Sequence, residues 1–246
     1  FGKNPIIPQN CRHTLVTAGT RSGKTQGIAV PTLHNYKGSA VVIDPKGELW
    51  ETTAGYRSTF SDCYRLEWTA EETSKYNPIS LTVLPTTPAE IELRVIQVAT
   101  ILMPPGDSFW TKEAHKACRA LILYEIYNAI HEGRDASLAN VAHFSGDLDV
   151  EPADAGEDDE RESLNSKLFE AAELAKERGH PRLCQSDLME LASTASRQLS
   201  GVFGTLSAEL QILKTLAVEN SINGCDINPK MLVEGERPVT IYIVVK

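Results

Sequence analysis

The stretch Ala18-Gly-Thr-Arg-Ser-Gly-Lys-Thr25 decides how this sequence is interpreted. It follows the phosphate-loop pattern G-x-x-x-x-G-K-[ST] except at its first position, where Ala18 stands and Gly19 comes one residue later. In such loops successive backbone N–H groups surround a phosphate, and the second glycine lets the backbone approach it closely. The stretch therefore predicts a nucleotide-binding loop; the alternative is a Gly/Ser-rich turn with an incidental lysine.

The pattern also assigns roles to side chains. Lys24 is expected to reach the β- and γ-phosphates, and the Thr25 hydroxyl to ligate Mg²⁺, which makes these two residues the candidate catalytic groups and Thr25 the candidate metal ligand. The candidate cofactor-binding residues are those of the loop, the residue after it and one downstream aspartate: Ala18, Gly19, Thr20, Arg21, Ser22, Gly23, Lys24, Thr25, Gln26 and Asp44.

The sequence around the loop predicts a parallel α/β arrangement. Residues 13–18 predict a short strand, and a helix is expected from about Lys24, kinked or ended by Pro31. The apolar run 39–43 is typical of a strand buried on both faces. Strand, turn, helix and strand within about 30 residues form a βαβ unit, and a third strand is predicted at residues 63–66.

Asp44 directly follows this apolar run and permits two interpretations. In P-loop enzymes an aspartate at the end of a strand holds Mg²⁺ through water. An aspartate at this position can equally cap a helix, here one that begins near Lys46. The sequence leaves both interpretations open.

After Tyr76-Asn-Pro78 the pattern becomes helical, beginning at Thr87-Pro88. A final strand is predicted at residues 238–245. We therefore expect a nucleotide-binding domain formed by residues 1–78 and 199–246 and a helical insert at residues 79–198. The predicted helices cover residues 88–102, 108–130, 137–144, 163–178 and 186–219, the last with a break near Gly201 or Gly204.

Composition limits the class of protein. The chain has 246 residues, 41% of them apolar, which is enough for a sizeable core. The sequence has no run of 18 apolar residues that would predict a membrane span. Because it starts at Phe1 without a leader, we expect a soluble part of a longer protein.

Negative charge is concentrated in one segment. Residues 146–163 hold nine acids and one arginine and carry eight of the nine net negative charges. They predict a solubilising loop or a docking site for basic partners, and the nearly neutral remainder neither supports nor excludes nucleic-acid binding.

The sequence resembles the coupling-protein ATPases of type IV secretion and conjugative DNA-transfer systems. The phosphate loop is similar to that family's loop, which commonly opens with alanine. The resemblance covers nearly the whole chain and is carried by Ala18–Thr25, Gly27–Leu33 with its proline, Val41-Val-Ile-Asp-Pro-Lys-Gly-Glu48, Tyr76-Asn-Pro78, Phe109-Trp110, the Ser- and Gly-rich stretch 196–206 and the strand at 238–245.

The resemblance implies a RecA-like P-loop NTPase parallel sheet with an inserted all-α helical domain. It implies ATP and Mg²⁺ as cofactors, a membrane anchor outside this chain and a homo-hexamer on the cytoplasmic face of the bacterial inner membrane. Such an ATPase recruits a relaxase–DNA complex or effector proteins and delivers them to the type IV secretion channel, with single-stranded DNA as a further partner.

The resemblance also implies that a second acidic motif lies beyond Lys246, so we expect residues 1–246 alone to bind nucleotide weakly and to turn over little or none of it. Two other functions stay open. One is a non-hydrolysing substrate receptor. The other is a related DNA-translocating ring ATPase, which is less favoured because residues 44–48 and 76–78 resemble the coupling proteins. Arg197 is a candidate basic finger or a surface arginine. Phe109 and Trp110 are candidate core anchors or a stacking platform for bases.

Overall fold

The computed structural model describes residues 13–149 and 163–245. In this part of the chain three strands form a parallel sheet in the order β1-β3-β2. The strands are β1 (Ala40–Asp44), β2 (Asp62–Leu66) and β3 (Val239–Val244). The central strand, β3, is buried at every residue but one, as expected for a strand with a neighbour on each side and cover on each face.

Different elements cover the two faces of the sheet. Helices α1 (Val30–Asn35) and α2 (Glu48–Arg57) lie on one face, where their apolar residues pack with Val42 and Tyr242. The other face packs against Ile227 and the short helix α10 (Met231–Glu234). The sheet is therefore enclosed along β3.

The remaining helices form an all-α region with its own core. They are α3 (Pro88–Leu102), α4 (Phe109–Glu132), α5 (Leu138–Asp149), α6 (Leu164–Glu177), α7 (Arg182–Ala192), α8 (Ser196–Leu210), a 3₁₀ turn (Gln211–Lys214) and α9 (Leu216–Ile222). Helix α4 is the centre of this region because its apolar residues face several directions, as in a helix surrounded by others.

Local sequence signals fix where these helices begin. The Thr87 hydroxyl accepts a hydrogen bond from the N–H of Glu90, and Pro88 begins α3. The Ser108 hydroxyl accepts from the N–H of Thr111 at 3.2 Å and begins α4. Both starts confirm the sequence prediction, and the strands predicted at 39–43, 63–66 and 238–245 are present as β1, β2 and β3 with bounds that differ by one residue.

Two arginine–carboxylate pairs tie the helices together. Two nitrogens of Arg119, on α4, donate to Asp187 on α7 at 2.9 and 2.6 Å. Arg134 donates to both oxygens of Glu125, which is nearly buried and also accepts from the Asn140 amide. Bidentate geometry and an additional donor satisfy Glu125, and two donors converge on one oxygen of Asp187.

The helical core extends along the chain to Ile222 and includes Leu199 and Phe203 of α8. The predicted boundary at residue 198 assigns these residues to the other domain. The division into residues 1–78 with 199–246 and 79–198 stays a prediction.

Two predicted features are wrong. Residues 13–18 form no strand; Leu15 is 89% exposed, and the sheet is built from β1, β2 and β3 without this segment, so the predicted βαβ unit lacks its first strand. The predicted break at Gly201 or Gly204 is absent, since both glycines lie inside the continuous helix α8. The chain turns instead at residues 193–195 and in the 3₁₀ segment. A β-carbon on Gly201 would lie 2.8 Å from the Trp110 ring, so this glycine is required by packing rather than by a turn.

Part of the acidic segment is helical, since α5 continues to Asp149. Residues 150–162, which carry the rest of its charge, lie outside the described residues. No helix in the described ranges is long and apolar enough to cross a membrane.

The all-α region encloses a histidine. His180 is 3% exposed, and its ring lies 5.7 Å from those of Tyr124 and Tyr127. Its Nε2 atom is buried, and within the described ranges it has no hydrogen-bond partner. Burial, aided by the positive charge of Arg178, lowers the pKa of His180 to about 4.

This environment predicts a pH-dependent stability. An unfolded histidine titrates near pH 6.5, so between pH 6.5 and 4 the unfolded chain binds a proton that the folded chain does not. The free energy of unfolding should therefore fall as the pH drops through this range, by up to about 3 kcal/mol from this residue. Urea unfolding of the wild type and His180→Phe at pH 7 and 4.5 tests this: the variant should lose less stability on acidification. Equal losses would contradict the assignment, and His143→Gln, at an exposed histidine, is the control.

Candidate phosphate-binding loop

The backbone of the loop is shaped by two residues with left-handed conformation. Gly23 has φ +81°, and Arg21 has φ +57°, which is uncommon for a residue with a side chain. Left-handed residues in a tight loop produce the concave backbone shape that binds anions elsewhere. The loop is solvent-exposed from Ala18 to Lys24, so its backbone is accessible to a ligand.

Lys24 closes the loop. Its ammonium group donates to the carbonyl oxygens of Ala18 at 2.7 Å and Gly19 at 2.8 Å. These contacts place a positive charge across the opening of the loop and join its first two residues to its seventh. Gly19 lies one residue after the position where the pattern has its first glycine, and its carbonyl oxygen accepts one of these two hydrogen bonds.

The helical segment after the loop is irregular. Thr25–Ala29 form a π-helical turn, in which the N–H of Val30 bonds to the Thr25 carbonyl, and α1 then begins with Pro31 near its start. Pro31 has no N–H and would crowd the carbonyl four residues before it, which a π turn avoids. The helix thus passes Pro31 with a change of hydrogen-bonding pattern instead of ending there.

The predicted nucleotide-site residues fall into two groups. The loop and its continuation through Thr25, which is half-buried, and Gln26, which is exposed, form one unit. Asp44 lies at the carboxyl end of β1 and is 2% exposed. Its Oδ2 accepts the N–H of Trp50 at 2.9 Å and so caps α2. The N-cap position itself is Gly47, and Asp44 stabilises the helix start from outside by accepting this first-turn N–H; its metal role stays a prediction.

The other candidates lie away from the loop in the sequence and at the surface. Phe109 and Trp110 are 49% and 42% exposed, so they are not core anchors, although Trp110 covers Gly201. Their rings meet edge to face at 5.4 Å. Arg197 is exposed, in line with its interpretation as a surface arginine.

One residue that sequence analysis missed is Arg57, at the end of α2. It is fully buried and donates to the carbonyl of Leu33, inside α1, and to that of Tyr36, directly after α1, the helix that continues from the loop. Nothing in the sequence pattern distinguishes it from an exposed arginine in a helix.

Fold and loop together define an α/β protein in which a parallel sheet, a lysine-closed phosphate-type loop and a large helical region occur in one chain. A family model described as type IV secretory system conjugative DNA transfer matches residues 2–246. The chain belongs to this family, which confirms the resemblance found in the sequence.

Curated relatives agree. The chain is 30% identical over 241 residues to the conjugal transfer protein TraG of Escherichia coli, an alignment that covers 94% of this chain and 36% of TraG. It is 41% identical over 70 residues to the protein VirD4 of Rhizobium radiobacter, covering 27% of this chain and 10% of that protein. The chain is thus homologous to the TraG and VirD4 coupling proteins and spans about a third of the length of TraG.

The capping role of Asp44 can be measured. Asp44→Ala should leave the part-buried N–H of Trp50 without its acceptor and lower the free energy of unfolding by about 1 kcal/mol. Asp44→Asn retains an acceptor oxygen and should recover most of the loss. Both are measured by urea denaturation in Mg²⁺-free buffer, where a residue that only binds metal would leave stability unchanged.

Proposed function

We propose that residues 18–25 bind Mg·ATP and that this chain is the nucleotide-binding part of a type IV secretion coupling protein, with a role in DNA transfer. The observation that carries the proposal is the closed loop itself: Lys24 spans its opening, and two left-handed residues curve its backbone. Family membership supports it, because the loop occurs within a chain that matches the conjugative DNA transfer family along its whole length.

In this proposal each loop residue has a physical task. The Lys24 ammonium exchanges its two carbonyl partners for the β- and γ-phosphate oxygens, which offer a full negative charge. The backbone N–H groups of residues 19–25 donate to phosphate, and Thr25 presents its hydroxyl to Mg²⁺ at the start of the helical turn. Asp44 contributes to the metal site through water, if its carboxylate serves both cap and metal.

The proposal extends to the whole protein. The sheet is the RecA-like part, and the helical region receives a relaxase–DNA complex or effector proteins for the secretion channel. The complete protein acts as a membrane-anchored homo-hexamer on the cytoplasmic face of the inner membrane. The names of the relatives, conjugal transfer protein among them, support this assignment.

A second candidate function is a non-hydrolysing receptor, in which nucleotide only organises the subunits. A related DNA-translocating ring ATPase is a third. The receptor is favoured over the translocating ATPase if ATP releases bound substrate without being hydrolysed.

Lys24→Ala tests the central claim. The variant loses the charge that faces the phosphates and should lose Mg·ATP binding by a factor of about 10–100, since a hydrogen bond to a charged group contributes about 1.5–3 kcal/mol. Binding is measured by titration calorimetry and turnover by phosphate release, with and without single-stranded DNA, in the complete protein. Lys230→Ala, at an exposed lysine far along the chain from the loop, is the control.

The outcomes separate the candidates. DNA-stimulated turnover that requires Lys24 supports the translocating ATPase. Binding without turnover supports the receptor. Undiminished binding by Lys24→Ala would refute the nucleotide site.

Gly23 and Gly27 provide a matched pair. A β-carbon on either glycine meets no atom within 4 Å, but only Gly23 has a positive φ. Gly23→Ala should therefore strain the loop by about 1–2 kcal/mol and weaken Mg·ATP binding by roughly 5–30-fold. Gly27→Ala should bind as the wild type does. Equal affinities for the two variants would show that the left-handed backbone at Gly23 does not matter for the ligand.

A further inference from the structure

Arg57 is the largest side chain among those that are fully buried in the described residues. Its Nε donates to the Thr240 hydroxyl at 2.7 Å, one Nη to the carbonyls of Leu33 and Tyr36 at 2.7 Å each, and the other Nη to the carbonyl of Gly38 at 2.8 Å. The guanidinium thus joins α2, the end of α1 and the central strand.

This contact is unusual because uncharged acceptors, and no carboxylate among them, stabilise the buried charge by hydrogen bonding. None of the ion pairs found in the described part of the chain includes Arg57. A buried cation is tolerated only when hydrogen bonds replace its hydration. Here three carbonyls supply them, and those at the carboxyl end of α1 also carry the negative end of the helix dipole. The Thr240 hydroxyl is held in turn by Ser61 at 2.7 Å.

Helix α1 is short, and besides Arg57 it is held by the packing of Leu33 and by the His34 ring, which meets the Tyr56 ring of α2 edge to face at 5.0 Å. It contains six residues, and its buried ones are Val30 and Leu33. So short a helix is not stable by itself and takes its orientation from its tertiary contacts. Leu33 packs with Val42 and Tyr242 of the sheet, next to the carbonyls that Arg57 binds.

The other end of α1 continues into the phosphate loop. The connection is the π-helical turn Thr25–Ala29, and the Gly27 N–H bonds to the Gly23 carbonyl at 2.7 Å. The loop is exposed, and its own hydrogen bonds are internal. The orientation of the loop relative to the sheet is therefore transmitted through α1.

We propose that Arg57 is a positioning residue for the nucleotide site: it anchors the far end of α1 to β3 and thereby fixes the phosphate loop relative to the carboxyl edge of the sheet. The inference rests on the proposed nucleotide binding at residues 18–25. Small displacements of binding groups have large effects on a bound ligand, so the anchor acts on affinity although it touches no ligand.

The test compares three variants of the full chain. Arg57→Met removes the charge and all donors at similar length, Arg57→Lys keeps the charge but not the planar fork of donors, and Arg119→Met removes an arginine that binds Asp187 in the helical region. Affinity for Mg·ATP is measured by calorimetry at a temperature where circular dichroism shows each variant folded. Hydrogen exchange of amides 19–36 is measured in parallel.

We expect Arg57→Met to bind Mg·ATP about tenfold more weakly or worse, with faster exchange along residues 25–36, and Arg57→Lys to lie between it and the wild type. Arg119→Met should melt at a lower temperature and bind as the wild type does, which separates positioning from general stability. If Arg57→Met does not fold, Thr240→Val removes one acceptor and should give a smaller loss of affinity in the same direction.

Wild-type affinity in folded Arg57→Met, or in Thr240→Val where only that variant folds, would overturn the positioning role. Absence of Mg·ATP binding by the unsubstituted chain would overturn the proposed function and the positioning role with it. The two failures are distinguishable, because the first leaves wild-type binding intact.

Discussion

The sheet depends on one long-range insertion, the placement of β3 between β1 and β2. Strand β3 comes from residues 239–244, whereas its two neighbours end by residue 66. The chain must therefore fold back before β3 can pair with β1 and β2, and the entropy lost in closing so long a connection opposes this pairing. What offsets the cost is burial: β3 is apolar over most of its length and covered on both faces. The phosphate loop, joined to the sheet through α1, depends on the same insertion.

Two hydroxyl groups of β3 connect the sheet to the helices above it. The Thr240 hydroxyl accepts from Arg57, and the Tyr242 hydroxyl meets that of Thr53 on α2 at 2.7 Å. Both side chains lie on the face that α1 and α2 cover, so a buried polar row crosses an otherwise apolar interface. Because each group has a partner, the row adds orientation without leaving an unsatisfied atom. Apolar packing alone would permit α1 to slide; directional bonds do not.

Sequence patterns predicted the elements better than their arrangement. The apolar runs at 40–44 and 239–244 contain consecutive β-branched residues, and Thr87-Pro88 has the chemistry of a helix start, so local signals sufficed there. The segment predicted as a strand at 13–18 has only a short apolar stretch, Leu15-Val16, and a strand also needs a partner, which is not encoded locally. The candidate loop at residues 18–25 was singled out because phosphate binding imposes a characteristic spacing of residue types; its nucleotide binding stays a prediction. Arg57 was not singled out, because its role depends on carbonyls that only the fold brings to it.

The stretch Tyr76-Asn-Pro78 shows why a short motif can mark a long connection. It lies where the chain leaves the sheet for the helical region, and there it meets the returning chain. The Tyr76 N–H donates to the Ser221 carbonyl, and the Lys75 N–H donates to Asp226, whose own N–H returns a bond to the Lys75 carbonyl.

Asn77, 1% exposed, donates to the Ala136 carbonyl at 2.6 Å and accepts from the Ile79 N–H. The outgoing and returning segments are thus bonded to each other, and the buried amide fixes them to the helical core. The connection between the sheet and the helical region thus rests on hydrogen bonds at this junction, of which those of Asn77 are buried.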